Sequence, residues 1–369
     1  MQTDVVILGA GPAGLAAAHH LVKNGLGVIL AEKSSRAGGL MRTVRHEDFV
    51  LDLGYKRLYS RIPEVDRLWQ ELLGPDFLPY QPRIGVLYRK HILEKQPGFK
   101  GLSRGTPPAL LMRCLLDLAL CRIRYRKDIR SLQDHAYYLR GEMLTRIFSI
   151  VSVDIAGKEG LQNIRALHFL SSLPYQALSH IFGMDFQPPE GQLSFHRGVI
   201  LVYLFLKRPV RFEHNLLQVT CPSLVMGRIT NYQAYPGRMV PHGKGCLCIE
   251  YFINRTKDLA GLDDEQITAM TLDQLAACKL LEPGWVEEAR VYHMQGADPA
   301  ASWEDYRKDP DRLRLHHYFE GHENLYLINR TGTDKSTYAG LMAAEAILSG
   351  NRSSYLRKTR PELEEPWIG

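Results

Sequence analysis

The chain has 369 residues, 45% hydrophobic and 23% charged, which exceeds one simple core and excludes wholesale disorder. Two intimately packed domains are therefore expected. The 46 basic and 40 acidic residues leave a net charge of +6, too dilute over this length to mark a nucleic-acid binder.

Residues 4–32 read as strand, tight turn, helix and strand. Val5, Val6, Ile7 and Leu8 form a continuous apolar run, as a strand buried on both faces should. The run has no basic segment before it and leads straight into glycines, so it does not read as a secretory leader. No stretch reaches the ~18 uncharged apolar residues of a membrane-spanning helix, and a cytoplasmic protein is expected. The turn Gly9-Ala10-Gly11-Pro12-Ala13-Gly14 is followed by an alanine-rich helix, then by a second strand, Val28–Ala31, ending at Glu32.

Residues 59–146 read as helical and loop material with one hairpin, Arg83–Arg89 and His91–Glu94. Pro107 and Pro108 open a helix from Ala109 to about Arg124. The basic cluster Arg113, Arg122, Arg124, Arg126, Lys127 and Arg130 adjoins it and reads as the solvated end of a half-buried helix, in preference to a peripheral membrane contact. Further strands are expected at Ile147–Ile155, Leu167–Leu170, Gly198–Leu206, Leu224–Asn231 and Cys246–Asn254. A helix from Asp264 to Leu281, a strand Leu325–Asn329 and a helix Ala339–Leu348 close the chain. The six cysteines, Cys114, Cys121, Cys221, Cys246, Cys248 and Cys278, are too scattered for a disulfide framework. Cys246 and Cys248 share a strand face but have no second pair of ligands nearby, so both are expected half-buried, with no metal.

Gly9, Gly11 and Gly14 have the GxGxxG spacing, immediately after a strand and opening a helix. The first glycine permits the tight turn, the second admits a pyrophosphate to the backbone, and the third lets helix pack on strand. Free N–H groups at the helix start, with Pro12 and Ala13 in the first turn, favour that anion. Glu32, 18 residues past Gly14, is placed to hold both ribose hydroxyls of an adenosine.

NAD and FAD both fit such a unit. The following run, Glu32-Lys33-Ser34-Ser35-Arg36-Ala37-Gly38-Gly39-Leu40, resembles the E-x-x-x-R-x-G-G signature of FAD-binding amine oxidases, protoporphyrinogen oxidases, phytoene desaturases and UDP-galactopyranose mutases. The resemblance implies FAD, held by the two glycine turns, Glu32 and Arg36. It also implies α/β architecture: a Rossmann-type FAD-binding domain (1–58, 147–182 and 310–369) interrupted by an α+β substrate domain (59–146 and 183–309) with a mixed or antiparallel sheet. Leu51-Asp52-Leu53-Gly54 is similar to the segment that brings backbone beside the isoalloxazine. Val153 falls on the strand whose main chain holds the adenine. Asn324–Gly332 with Tyr338–Ile347 is similar to the closing strand and helix, which adds Arg330, Gly332 and Thr333 to the cofactor set. The short length, Tyr59–Trp69 and Glu250-Tyr251 lean toward the mutase and protoporphyrinogen-oxidase branch.

The chain departs from the pattern in three places. Tyr55-Lys56-Arg57 follows Gly54, where relatives carry histidine or glycine. The stretch between Arg330 and the last helix is compressed to residues 331–337, and the segment around 134–146 is shortened. Candidates for substrate chemistry are Tyr55, Lys56, Arg228, Asn231, Tyr232, Glu250 and Tyr251, although Tyr251 also reads as a core aromatic and Arg228 with Glu250 as a cross-strand ion pair. Three functions follow, in this order: an oxidoreductase passing hydride from a small-molecule substrate to FAD, a sugar mutase using reduced FAD, and a flavin-binding scaffold.

Overall fold

The computed structural model describes residues 1–78, 80–88, 90–94, 152–157, 160–182, 196–221, 223–253, 259, 261–299, 310–330 and 332–359. The expected helix at 109–124, the basic cluster beside it and the shortened segment around 134–146 lie outside these residues.

β1 (Gln2–Leu8), α1 (Pro12–Lys23) and β2 (Val28–Ala31) form the opening βαβ unit, with β1 and β2 parallel. A hairpin follows, β3 (Thr43–His46) and β4 (Phe49–Asp52), then α2 (Pro63–Leu73). β5 (Ile84–Tyr88) and β6 (His91–Glu94) make the second hairpin. The chain then returns to the first sheet through β7 (Ser152–Gly157), β8 (Gly160–Ser171) and α3 (Tyr175–Ile181). It leaves again as β9 (His196–Leu206), β10 (Leu216–Val219), β11 (Arg228–Asn231), β12 (Gly245–Phe252), α4 (Asp264–Ala277) and β13 (Val286–Pro299). α5 (Pro310–Glu320), β14 (Leu325–Leu327), α6 (Thr333–Ser349) and α7 (Arg352–Lys358) complete it.

Two sheets result. The first has the order β14-β8-β1-β2, all parallel, with β7 added antiparallel to the start of β8. The second has the order β13-β9-β12-β11-β10-β5-β6, antiparallel except for the parallel β10–β5 pair, so it is a mixed sheet. The expected α/β class therefore holds, as a parallel Rossmann-like part beside a largely antiparallel one.

α1 and α6 cross almost backbone to backbone. Their contact is built from Ala13, Ala17, Ala339 and Ala343, and a Cβ on Gly340 would lie 2.1 Å from the Ala13 carbonyl oxygen. That approach sets the start of α6 beside the first glycine turn.

The second sheet buries both faces. Leu247, Ile249 and Tyr251 of β12 point toward α4 with Ile267, Leu275 and Trp285. Cys246 and Cys248 point the other way, against Tyr203, Phe205 and the β3–β4 hairpin. Both thiols are fully buried rather than half-buried, and burial pushes both upward, as inert structural cysteines require.

Several elements differ from expectation, β8 among them, which begins at Gly160 rather than Leu167. The strand expected from Leu224 begins only at Arg228, because residues 224–227 turn, with the Leu224 amide on the Cys221 carbonyl. α4 ends at Ala277, where Cys278 caps it and Lys279 takes a positive φ of 58°. α6 begins at Thr333 rather than Ala339: its polar first turn is helical because the Ser336 and Thr337 hydroxyls bond the carbonyls of Arg330 and Thr333. β13 was not expected at all, since its sequence is that of a charged edge strand.

Candidate functional site

The two glycine turns meet. The Gly38 amide donates to the Ala10 carbonyl at 2.8 Å, and a Cβ on Gly39 would lie 3.2 Å from the Gly11 Cα. Gly9 has φ +103°, and a side chain there would strike Ser172, whose hydroxyl donates to the Leu8 carbonyl at the end of the neighbouring strand. A Cβ on Gly14 would fall 1.9 Å from the Gly9 carbonyl oxygen, so helix and turn are in backbone contact. Gly11 is the exception: nothing lies within 4 Å of the position its Cβ would take. Three glycines thus hold the turn closed, and the fourth leaves room for a ligand at the uncapped start of α1.

Glu32 lies at the tip of β2. Its carboxylate accepts from the Ala10 amide at 2.8 Å and the Ser34 amide at 2.9 Å. Burial raises its pKa, but these two amides and Lys33 outweigh that and hold it below the ordinary carboxylate range. It is therefore ionised at neutral pH and suited to accept ribose hydroxyls. Lys33, Arg36 and Leu40 are exposed, and only the Arg36 main chain is used locally, accepting from Ser34 Oγ at 2.6 Å.

α6 enters from the other side. Gly332 caps it at φ +85°, with no side chain on its free amides, and Thr333 Oγ1 donates to Met41 Sδ at 3.2 Å, just past the second glycine turn. Gly11, Gly39, Met41 and Thr333 thus border one cleft. Val153 stands on β7, paired in the ladder with Ile164 of β8. Arg330, expected on a phosphate, is turned elsewhere. It is 7% exposed, with Nη1 on the Asn329 carbonyl and Nη2 on the Thr359 carbonyl beyond α7. The guanidinium anchors the end of α7.

The Asp52–Lys56 segment crosses from β4 over the second sheet. Gly54 takes φ +74°, its amide donates to the Tyr203 hydroxyl at 3.0 Å, and that hydroxyl donates to the Asp52 carbonyl at 2.6 Å. The Tyr232 hydroxyl reaches the Asp52 and Gly54 carbonyls at 2.7 and 2.9 Å. Glu250 holds the next residue: Oε1 accepts from the Tyr55 amide at 2.9 Å, and Oε2 accepts from Arg228 Nε and Nη2 at 3.0 and 2.6 Å. Glu250 is 2% exposed, so the pair is buried at its acidic end, and the cross-strand ion pair exists as expected.

Tyr55, Lys56, Arg228, Tyr232 and Glu250 are therefore brought together. Tyr251 is not. Strand alternation sends it to the α4 side, where its hydroxyl lies 2.8 Å from Thr271 Oγ1. Asn231 is likewise fully buried, its amide donating to the Phe212 carbonyl. Alternation alone placed Glu250 and Tyr251 on opposite faces, so that separation was already present in the sequence. Tyr203, Tyr235 and Tyr80 were missed, because strand and loop tyrosines give no signal of what they face.

Asp52 carries a testable charge. Burial raises its pKa and Lys56 only partly offsets this. A carboxyl whose folded pKa is raised binds its proton more tightly when folded, so its contribution is most favourable at low pH and is lost as pH rises through the folded value. Asp52→Asn is expected to raise the thermal midpoint at pH 7, and the gain should vanish below about pH 3.8, the ordinary aspartate value. Thermal melts across that range check it.

Fold and turns define a Rossmann-like part joined to a mixed sheet. Residues 7–72 match the NAD(P)-binding Rossmann-like domain family. A 57-residue segment is 50% identical to an L-amino-acid oxidase of Sistrurus catenatus edwardsii, and a 68-residue segment is 38% identical to protoporphyrinogen oxidase 2, chloroplastic/mitochondrial, of Arabidopsis thaliana. These segments are 15% and 18% of this chain but only 11% and 13% of those relatives. Over 98% of its length the chain shares the fold of a reduced UDP-galactopyranose mutase, 99% of which is covered, at a TM-score of 0.70 and 14% identity. The chain is thus similar to these oxidases over a short segment of sequence, and to this mutase in fold over 98% of its length. Among the described residues no helix is long and apolar enough to cross a membrane.

Proposed function

We propose that the protein binds FAD noncovalently and is an oxidoreductase that takes a hydride from a small-molecule substrate. The observation carrying this is the contact between the two glycine turns beside the open start of α6. A single glycine turn suits any dinucleotide, whereas a second one packed on it suits the longer FAD. The room at Gly11 and the uncapped amides of α1 would take the pyrophosphate, with Arg36 available to neutralise it. Glu32 would accept the ribose hydroxyls. Bound there, FAD supplies a two-electron acceptor. The free amides at the α6 start favour negative charge on whatever lies before them. The Gly54–Tyr55 backbone, held rigid by Tyr203, Tyr232 and Glu250, orients the substrate, with Tyr55 and Arg228 facing it and Lys56 within reach as a proton carrier. The residue division given above, with the second sheet as the substrate side, goes with this reading.

The placement of Arg330 favours this over the sugar mutase, which needs paired cations on a diphosphate. Its guanidinium is committed to two main-chain carbonyls. The test is anaerobic mixing of FAD-loaded protein with amines, alcohols and organic acids. A productive substrate is expected to bleach the flavin stoichiometrically, and Tyr55→Phe should lower that rate about tenfold, roughly one hydrogen bond, without altering the spectrum. Ring interconversion of a UDP-sugar by dithionite-reduced protein, with no net redox change, would reverse the order.

A further inference from the structure

Beyond the Gly54–Tyr55 loop, several hydrogen-bond donors lie near one another. Glu250 has both oxygens engaged, one by the Tyr55 amide and one by Arg228. Arg228 uses Nε and Nη2 for that pair, lies 4.9 Å from the Phe252 ring centroid, and keeps its side chain 31% exposed. The Tyr235 hydroxyl is buried and has no hydrogen-bond partner among the described residues. Tyr80 stacks against Tyr235 at 5.4 Å between ring centroids and reaches the surface. Tyr55 lies within electrostatic reach of Arg57, Arg228, Tyr80 and Tyr235. The remaining acid near Tyr235 is Asp52, which faces Lys56.

We propose that Tyr55, Tyr80, Tyr235 and Arg228 bind a carboxylate, so that the substrate is an organic acid; this rests on the oxidoreductase reading and narrows it. A buried phenol without a partner costs stability unless a ligand supplies an acceptor, and a carboxylate supplies several. Arg228 adds charge, and Tyr80, whose pKa burial pushes up to about 12, stays a donor throughout the neutral range. A cationic amine fits worse. Arg57 and Arg228 would repel it, Glu250 is already engaged by Arg228 and the Tyr55 amide, and the Tyr80 and Tyr235 rings lie tilted against each other.

The experiment is calorimetric titration of FAD-loaded protein with three probes of one shape: benzoate, benzamide and benzylamine. Benzoate is expected to bind at least about tenfold more tightly than either neutral or cationic probe. Tyr235→Phe should lose about tenfold of the benzoate affinity and little of the benzamide affinity. It should also leave the thermal midpoint unchanged or raised, since the hydroxyl it removes is unpaired. A hydroxyl with a purely structural role would instead lower the midpoint and leave benzoate binding alone. Equal binding of the three probes, preference for benzylamine, or no benzoate binding would overturn the proposal. The visible flavin spectrum of the same sample reports separately whether the cofactor reading holds.

Discussion

Gly11→Val is expected to give a folded protein that takes up no FAD. The wild-type residue has φ −79°, which any L-residue adopts, and open space where a side chain would go, so valine costs the empty protein nothing. That same space is where the pyrophosphate must approach the backbone. Filling it removes the contact with the α1 amides and should weaken FAD by at least about 1000-fold, roughly 4 kcal/mol. Gly14→Val should behave differently, because its Cβ falls 1.9 Å from the Gly9 carbonyl oxygen and the protein itself must distort. FAD titration and thermal melts together separate the two. The melts are compared with wild type free of FAD, since bound ligand raises the midpoint by mass action. A yellow Gly11→Val protein would put the cofactor elsewhere.

Arg228→Leu is expected to destabilise the protein by about 3 kcal/mol or more, the range for removing one partner of a buried pair. It strands a carboxylate that is 2% exposed. Glu250→Gln should cost less, since an amide oxygen still accepts from the Tyr55 main chain and Arg228 can turn to solvent. The double replacement by leucines should recover much of the Arg228→Leu loss, as apolar substitution of buried pairs commonly does. Urea midpoints of Arg228→Leu, Glu250→Leu and the double variant measure the coupling. Strict additivity would mean that the pair does not hold the loop. Arg228→Ala is a poor probe of substrate contact for the same reason: it disturbs the support of Tyr55 as well as any ligand.

The opening βαβ unit was legible because each part of it is local. The apolar run, the three glycines and Glu32 lie within one short segment, and each answers to a steric or electrostatic demand readable without tertiary context. The second glycine turn was legible only through resemblance; the structure supplies its physical reason, the contact between Gly39 and Gly11. β13 was hidden because this edge strand carries charge on both faces: Glu288 pairs with Arg290 and His46 on one, and His293 with Asp264 on the other. The start of α6 was hidden because Thr333–Thr337 looks like turn material until its hydroxyls are seen satisfying carbonyls. The tyrosine support of the Gly54 loop was beyond sequence reasoning. Tyr203 and Tyr232 sit 149 and 178 residues from Gly54, and no periodicity links them. The bonds of Arg330 were not legible either, because resemblance fixes a position in the chain, while the rotamer is decided by the carbonyls of Asn329 and Thr359.

The most direct measurement is FAD titration of the purified chain, followed by denaturation to release what is bound. One equivalent of FAD should be taken up and acquire the structured visible spectrum of a buried flavin. All of it should be recovered free on denaturation, because the cysteines among the described residues are all buried. A chain that stays colourless under these conditions, or that binds NAD or NADP in the same cleft in preference to FAD, would contradict the account at its root.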